Sequence, residues 1–200
     1  MDFATWLAVI AFATVTSITP GPNNMMLLAS GVNHGFRASW PHMLGISLGF
    51  TVLLLSTALG LGALMQQWPV RSLVLKALGA VYLSWMAWRL WQSDAPRGAE
   101  AGSAAGPMGF WAAAAFQWVN PKAWMMALAA VAGFLAPGSG WWLGLLLALL
   151  FGLVNLPCIA LWTYAGARLS RQLADPARRR VFNAVMAVLL LASLWPMLRS

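Results

Sequence analysis

Two short runs carry the polar chemistry of an otherwise apolar chain: Thr19-Pro20-Gly21-Pro22-Asn23-Asn24 and Asn120-Pro121-Lys122. In the first, Pro20 and Pro22 lack backbone donors and clash with the preceding turn, so a helix must stop there. Gly21 permits a sharp change of direction. Asn23 and Asn24 can cap the helix that resumes. Its new N-terminus would present free N–H groups and a partial positive charge, a setting that attracts a carboxylate. In the second run, Asn120 can cap and Pro121 suits a first helical turn. Lys122 adds a full positive charge deep in an apolar segment, where insertion costs at least about 2.5–3.5 kcal/mol.

Two roles fit Lys122. It can pair with a substrate carboxylate, exchanging its proton as the substrate comes and goes, or it can be a structural lysine that hydrogen-bonds a neighbouring break. Trp118 and Trp124 flank it, and their rings can wall a pocket, face the cation or simply pack. Gln117 lies one turn before Pro121 and points the same way. Asn155-Leu156-Pro157 is a milder break that brings Asn155 toward the same path. The candidate substrate-binding set is therefore Thr19, Pro20, Gly21, Pro22, Asn23, Asn24, Gln117, Asn120, Pro121, Lys122 and Asn155. Gly45 and Gly49, with Ser47 between them, form a small-residue face suited to close helix packing. His34 and His42 read as interface residues rather than ligands.

Absences narrow the chemistry. Asp2, Asp94, Glu100 and Asp175 all fall in loops or termini. No membrane carboxylate is left to relay protons or hold a cationic substrate. Neither a Ser-His-Asp set, a metalloprotease motif nor a phosphate loop occurs, so no catalytic residue, no metal site and no cofactor is expected, and an enzyme fits poorly. One cysteine, Cys158, excludes a disulfide framework and zinc spacing. Met25-Met26 and Met125-Met126 lie just beyond the two breaks, and thioethers suit a soft cation. A soft-metal exporter and a non-transporting membrane scaffold are accordingly the alternatives to a small-molecule transporter.

The elements that position these residues are membrane helices. Of 200 residues, 61% are hydrophobic and 8% charged, against about 25% charged in a soluble domain. A water-soluble surface could not be built from so few charges, whereas lipid accepts apolar side chains directly. The net charge of +8 does not imply nucleic acid, because the basic residues sit at the ends of apolar segments, where they face headgroups of membrane lipids. Asp2 and the lack of a basic leader argue against a signal peptide.

Six stretches have membrane length: residues 3–31, 40–65, 73–91, 110–135, 141–164 and 181–198. Lys76 interrupts the third but can snorkel. Trp6, Trp40, Trp68, Trp91, Trp111, Trp141, Trp142, Trp162 and Trp195 fall near span ends, as interface anchors do. Arg37, Arg89, Arg97, Arg168, Arg171, Arg178, Arg179 and Arg180 occupy the odd loops, against Arg71, Lys76 and Arg199 opposite. The bias puts the odd loops in the cytoplasm and both termini outside. The fold expected is an all-α integral membrane protein, one transport domain over 1–200. Its six transmembrane helices form two inverted three-helix halves, 1–91 and 108–200, joined by a cytoplasmic linker, 92–107. Each half begins with a broken helix, the plan of many secondary transporters.

These residues resemble a known family. Thr19 to Asn24, then His34-Gly35-Phe36-Arg37, Gly45-Ile46-Ser47-Leu48-Gly49-Phe50, Gly79-Ala80-Val81-Tyr82-Leu83 and Asn120-Pro121-Lys122 are similar to the lysine exporter superfamily in its homoserine/threonine exporter branch. Nearly the whole chain is covered, and within the branch the text looks closest to exporters of cysteine and O-acetylserine. The resemblance implies efflux of amino acids or derivatives from the bacterial cytoplasm across the inner membrane, a multi-pass location and coupling to proton influx; the lack of a membrane carboxylate favours small, neutral substrates, and a homodimer is among the partners to expect. Some members carry Asp where this chain has Asn23 or Asn24, which weakens any carry-over of carboxylate-based proton coupling.

Overall fold

The computed structural model describes residues 2–62, 69–92, 106–136 and 138–193. Among them the regular structure is entirely helical: α1 (Phe3–Ile18), α2 (Pro22–His34), α3 (Trp40–Ser56), α4 (Pro69–Trp91), α5 (Phe110–Phe116), α6 (Pro121–Phe134), α7 (Trp141–Leu169) and α8 (Pro176–Ala192). A wider π turn, Thr57–Leu61, continues α3. Helix starts follow local chemistry. Proline opens α2, α4, α6 and α8, where its missing N–H would have no intrahelical partner anyway. Asp2 caps α1 through the Thr5 amide at 2.8 Å. Asp175 caps α8 through the Ala177 amide at 2.8 Å, so this helix begins at Pro176, five residues before the predicted span.

Trp40–Leu61 and Trp141–Leu169 are each long and apolar enough to cross a bilayer. The pair α1 and α2, bent by 57° at a short break, makes a third such span. The chain is thus an all-helical membrane protein. Helices also cover the predicted third stretch, the fourth on either side of its break, and 181–192 of the sixth. Residues 93–105 of the predicted linker lie outside the described residues, as do Trp68, Trp195 and the ends of the second and last stretches.

The long helix α7 is the hub. It packs on α1, α2 and α3, while α3 packs on α5 and α6, α4 on α8, α2 on α8, and α1 on α6. Two glycines let α2 and α7 touch backbone to backbone: a Cβ on Gly31 would collide with the Thr163 carbonyl, and one on Gly166 with the Leu28 carbonyl. The face predicted for Gly45 and Gly49 is used as expected, against α5, where a Cβ on Gly49 would lie 2.6 Å from the Ala114 Cα. Ser47 between them donates to the Gly152 carbonyl at 2.8 Å, tying α3 to α7.

Three expectations need correction. Asn155-Leu156-Pro157 does not break its helix: α7 runs through Pro157 without interruption. Proline in mid-helix removes one donor, and neighbouring helices on three sides hold α7 in line. His42 is not an interface residue. It is buried with neither ring nitrogen hydrogen-bonded. Arg179 does not face headgroups but is buried, its Nε donating to the Leu173 carbonyl at 3.1 Å, so it closes the turn into α8.

Candidate functional site

The two breaks meet. Where α1 ends, four successive carbonyls lose their helical partners, and each finds a side-chain donor. Asn24 Nδ2 donates to the Ser17 carbonyl at 2.9 Å and to that of Thr19 at 2.7 Å. Trp162 Nε1, from α7, donates to the Ile18 carbonyl at 3.0 Å. Lys122 Nζ, from the second break, donates to the Thr19 carbonyl at 2.6 Å, the Thr19 hydroxyl at 3.0 Å and the Pro20 carbonyl at 3.4 Å. Freed carbonyls in a membrane must be satisfied inside the protein, and here the cation of one half does it for the other. Gly21 makes room, since a Cβ there would lie 2.6 Å from the Lys122 Cδ.

The second break is closed similarly. Asn120 Oδ1 accepts from the Lys122 amide at 3.1 Å, the cap that the Asn-Pro pair predicts. Trp124 Nε1 donates to the Trp118 carbonyl at 2.8 Å. The two rings pack edge to face, 6.3 Å apart; they do not line the pocket described below, whose walls lie elsewhere. Trp162, read as an interface anchor, and Trp124 therefore do the same job at opposite breaks.

Asn23 and Asn24 do not cap α2 as expected. Gly21 holds the cap position with no side-chain hydrogen bond to the first turn. Asn23 turns instead to Gln117, in a reciprocal amide pair at 2.9 and 3.2 Å, and Gln117 is fully buried. The α2 first turn is thus left uncapped by either asparagine.

A cavity lies between the breaks. Its walls are Thr16, Ser17 and Gly21, Asn23 and Asn24, Phe50, Asn120, Lys122, Ala123 and Met126, with Asn155 and Ile159 from α7. Six of the predicted residues are here: Gly21, Asn23, Asn24, Asn120, Lys122 and Asn155. Thr19 and Pro20 contribute carbonyls to Lys122, Gln117 supports Asn23, and Pro22 and Pro121 start the helices. Thr16 and Ser17 were missed, although two short polar residues just ahead of a proline break are a readable signal. The cavity spans about 320 Å³ of non-atom space, its open mouth included.

The soft-metal alternative finds no support. Met25 and Met26 pack with Leu83, Phe116 and Met186, whereas Met126 packs with Phe50, Phe151 and Ala127 in a different cluster. Among the described residues no three His, Cys, Asp or Glu side chains gather.

The profile of the LysE type translocator family matches residues 14–193. This chain belongs to that family. As a LysE-family translocator it is a transport protein and not an enzyme. It is 34% identical over 184 residues to a protein of Escherichia coli O139:H28 named cysteine/O-acetylserine efflux protein, with 90% of each chain covered. Proteins of the same name from Escherichia coli K12 and Shigella sonnei are 34% identical over 183 residues, again with 90% of each chain covered. No solved structure matches it. In this LysE-family chain the matched region takes in both breaks and every wall of the cavity.

Proposed function

We propose that this chain exports small neutral amino acids and their derivatives from the bacterial cytoplasm, with cysteine and O-acetylserine first in line, by alternating access at the cavity between its two breaks. The observation that carries the reading is the Lys122 ammonium spanning from the second break to the Thr19 and Pro20 carbonyls of the first. The cation has no anionic partner in the cavity, whose walls hold no carboxylate. A substrate carboxylate arriving at the uncapped first turn of α2 meets the helix end and the ammonium together. It competes with the two carbonyls for Lys122, and the contact that ties the halves is exchanged for a contact to cargo. Efflux proteins of cysteine and O-acetylserine are the relatives this chain is similar to over 90% of its length, which supports that choice of substrate.

Six spans in two inverted halves, lying in the inner membrane, give this exchange its geometry. Swapping the halves carries the α1–α2 pair onto the α5–α6 pair, α3 onto α7 and α4 onto α8. Much of the packing supports the swap: α1 and α2 lie on α7 as α5 and α6 lie on α3, while α3 with α7, α4 with α8 and α1 with α6 pair across it; α2 on α8 departs from it. Proton influx drives the cycle through exchange at Lys122, since no membrane carboxylate is at hand. The test is export from cells that overproduce the protein. Cysteine, serine or threonine should leave faster than lysine, whose side-chain cation would be desolvated without a partner; preferential export of lysine overturns the reading.

A further inference from the structure

Asn155 presents an acceptor that no other described residue uses. Its Nδ2 donates to the Ser17 hydroxyl at 3.2 Å, while its Oδ1 is buried and without a hydrogen-bond partner. The residue is 6% exposed and lines the same cavity as Lys122 and the first turn of α2. Buried amide oxygens are nearly always satisfied, so an orphan in a cavity wall marks the place of a donor that arrives with a ligand. An α-amino acid brings such a donor beside its carboxylate. We infer that Asn155 Oδ1, with Ser17 holding the amide in place, accepts a hydrogen bond from the α-ammonium of the substrate, and so makes the cavity selective for zwitterionic amino acids over the corresponding carboxylic acids.

This rests on the efflux function proposed above and adds a division of labour. Lys122 and the α2 terminus lie on the carboxylate side, Asn155 on the ammonium side. The neutrality of Asn155 matters, because a carboxylate in its place would also welcome amines that lack a carboxyl group. Continuity of α7 through Pro157 keeps the amide on a rigid element that packs on both α1 and α2.

The test is counterflow of radiolabelled L-cysteine into proteoliposomes under reducing conditions. Unlabelled L-cysteine, 3-mercaptopropionate (which lacks the amino group) and cysteamine (which lacks the carboxyl group) serve as competitors. Wild-type protein should prefer L-cysteine over 3-mercaptopropionate by at least about tenfold, since a site built to bond a donor rejects the analogue without it. In Asn155→Leu that preference should fall to within about threefold. Asn155→Asp, which keeps the size and the acceptor, should admit cysteamine as a competitor where wild type does not. An unchanged preference in Asn155→Leu, or an Asn155→Asp variant as indifferent to cysteamine as wild type, overturns the assignment alone. Absence of cysteine counterflow by wild-type protein overturns the cysteine-efflux reading together with it.

Discussion

Gly21 and Lys122 show how tightly one residue type constrains another. The lysine stem passes 2.6 Å from where a Cβ on residue 21 would sit. Only the side chain is in the way, and a lysine stem can swing. Gly21→Ala should therefore fold and insert, but at the expense of at least one of the three Lys122 hydrogen bonds to Thr19 and Pro20. Loss of one hydrogen bond, about 0.5–1.5 kcal/mol, would shift the cavity toward its open form roughly two- to tenfold. In a Cys158→Ser background, a cysteine placed at buried Ser17 should become that much more reactive toward a small maleimide when Gly21 is Ala. An unchanged labelling rate would show that Lys122 does not hold the cavity shut.

At the scale of elements, the breaks were legible because proline, glycine and asparagine act locally. Pro20, Pro22 and Pro121 cannot be accommodated by a continuing helix without lost bonds, and the structure stops α1 at Ile18 and α5 at Phe116. Asn155-Leu156-Pro157 misled because one proline can be absorbed when tertiary packing holds the helix in line. Gly60 shows the reverse: it sits at φ 112° inside the π turn after α3, bending a stretch whose apolar sequence promised a straight span. The partners of the freed carbonyls were not legible. Trp162 and Lys122 reach them from 144 and 103 residues away, and no local pattern encodes such a pairing. Replacing Pro20 and Pro22 together with Ala should restore a continuous helix and withdraw the α2 terminus from the cavity. The protein should still insert, with little export, and full activity in that double variant would reduce the break to a kink. Gly31→Ala should behave differently, because its Cβ would strike the Thr163 backbone carbonyl, which cannot swing aside. A loss of about 1–3 kcal/mol is expected from such overpacking, read as a lower melting temperature in detergent; an unchanged melting temperature would mean that α2 and α7 separate freely.

For the whole molecule, the arrangement to be tested is two halves of opposite orientation joined at one polar site. Arg168, Arg171, Arg178 and Arg180 cluster at and around the turn between α7 and α8, and the proposed topology puts that turn in the cytoplasm. With Cys158 replaced by Ser, a cysteine at exposed Gln172 should be shielded from an impermeant thiol reagent in intact cells, and one at Ser139, between α6 and α7, should react. Equal labelling of both would break the topology. Such a scaffold brings a helix end and a cation to a substrate carboxylate without any acidic residue. In the proposed cycle Lys122 is at once the closing contact, the carboxylate partner and the proton-exchanging group, and one substitution should remove all three roles. The most direct measurement is counterflow of labelled L-cysteine into proteoliposomes across a range of pH, with wild-type, Lys122→Gln and Lys122→Arg protein. Wild type should carry cysteine with a clear pH dependence. Lys122→Gln should insert normally yet lose apparent affinity and pH dependence together, and Lys122→Arg should also be impaired, since a guanidinium keeps its charge and fills more space. Lys122→Gln protein with wild-type affinity and an unchanged pH profile would contradict the central role given to this lysine.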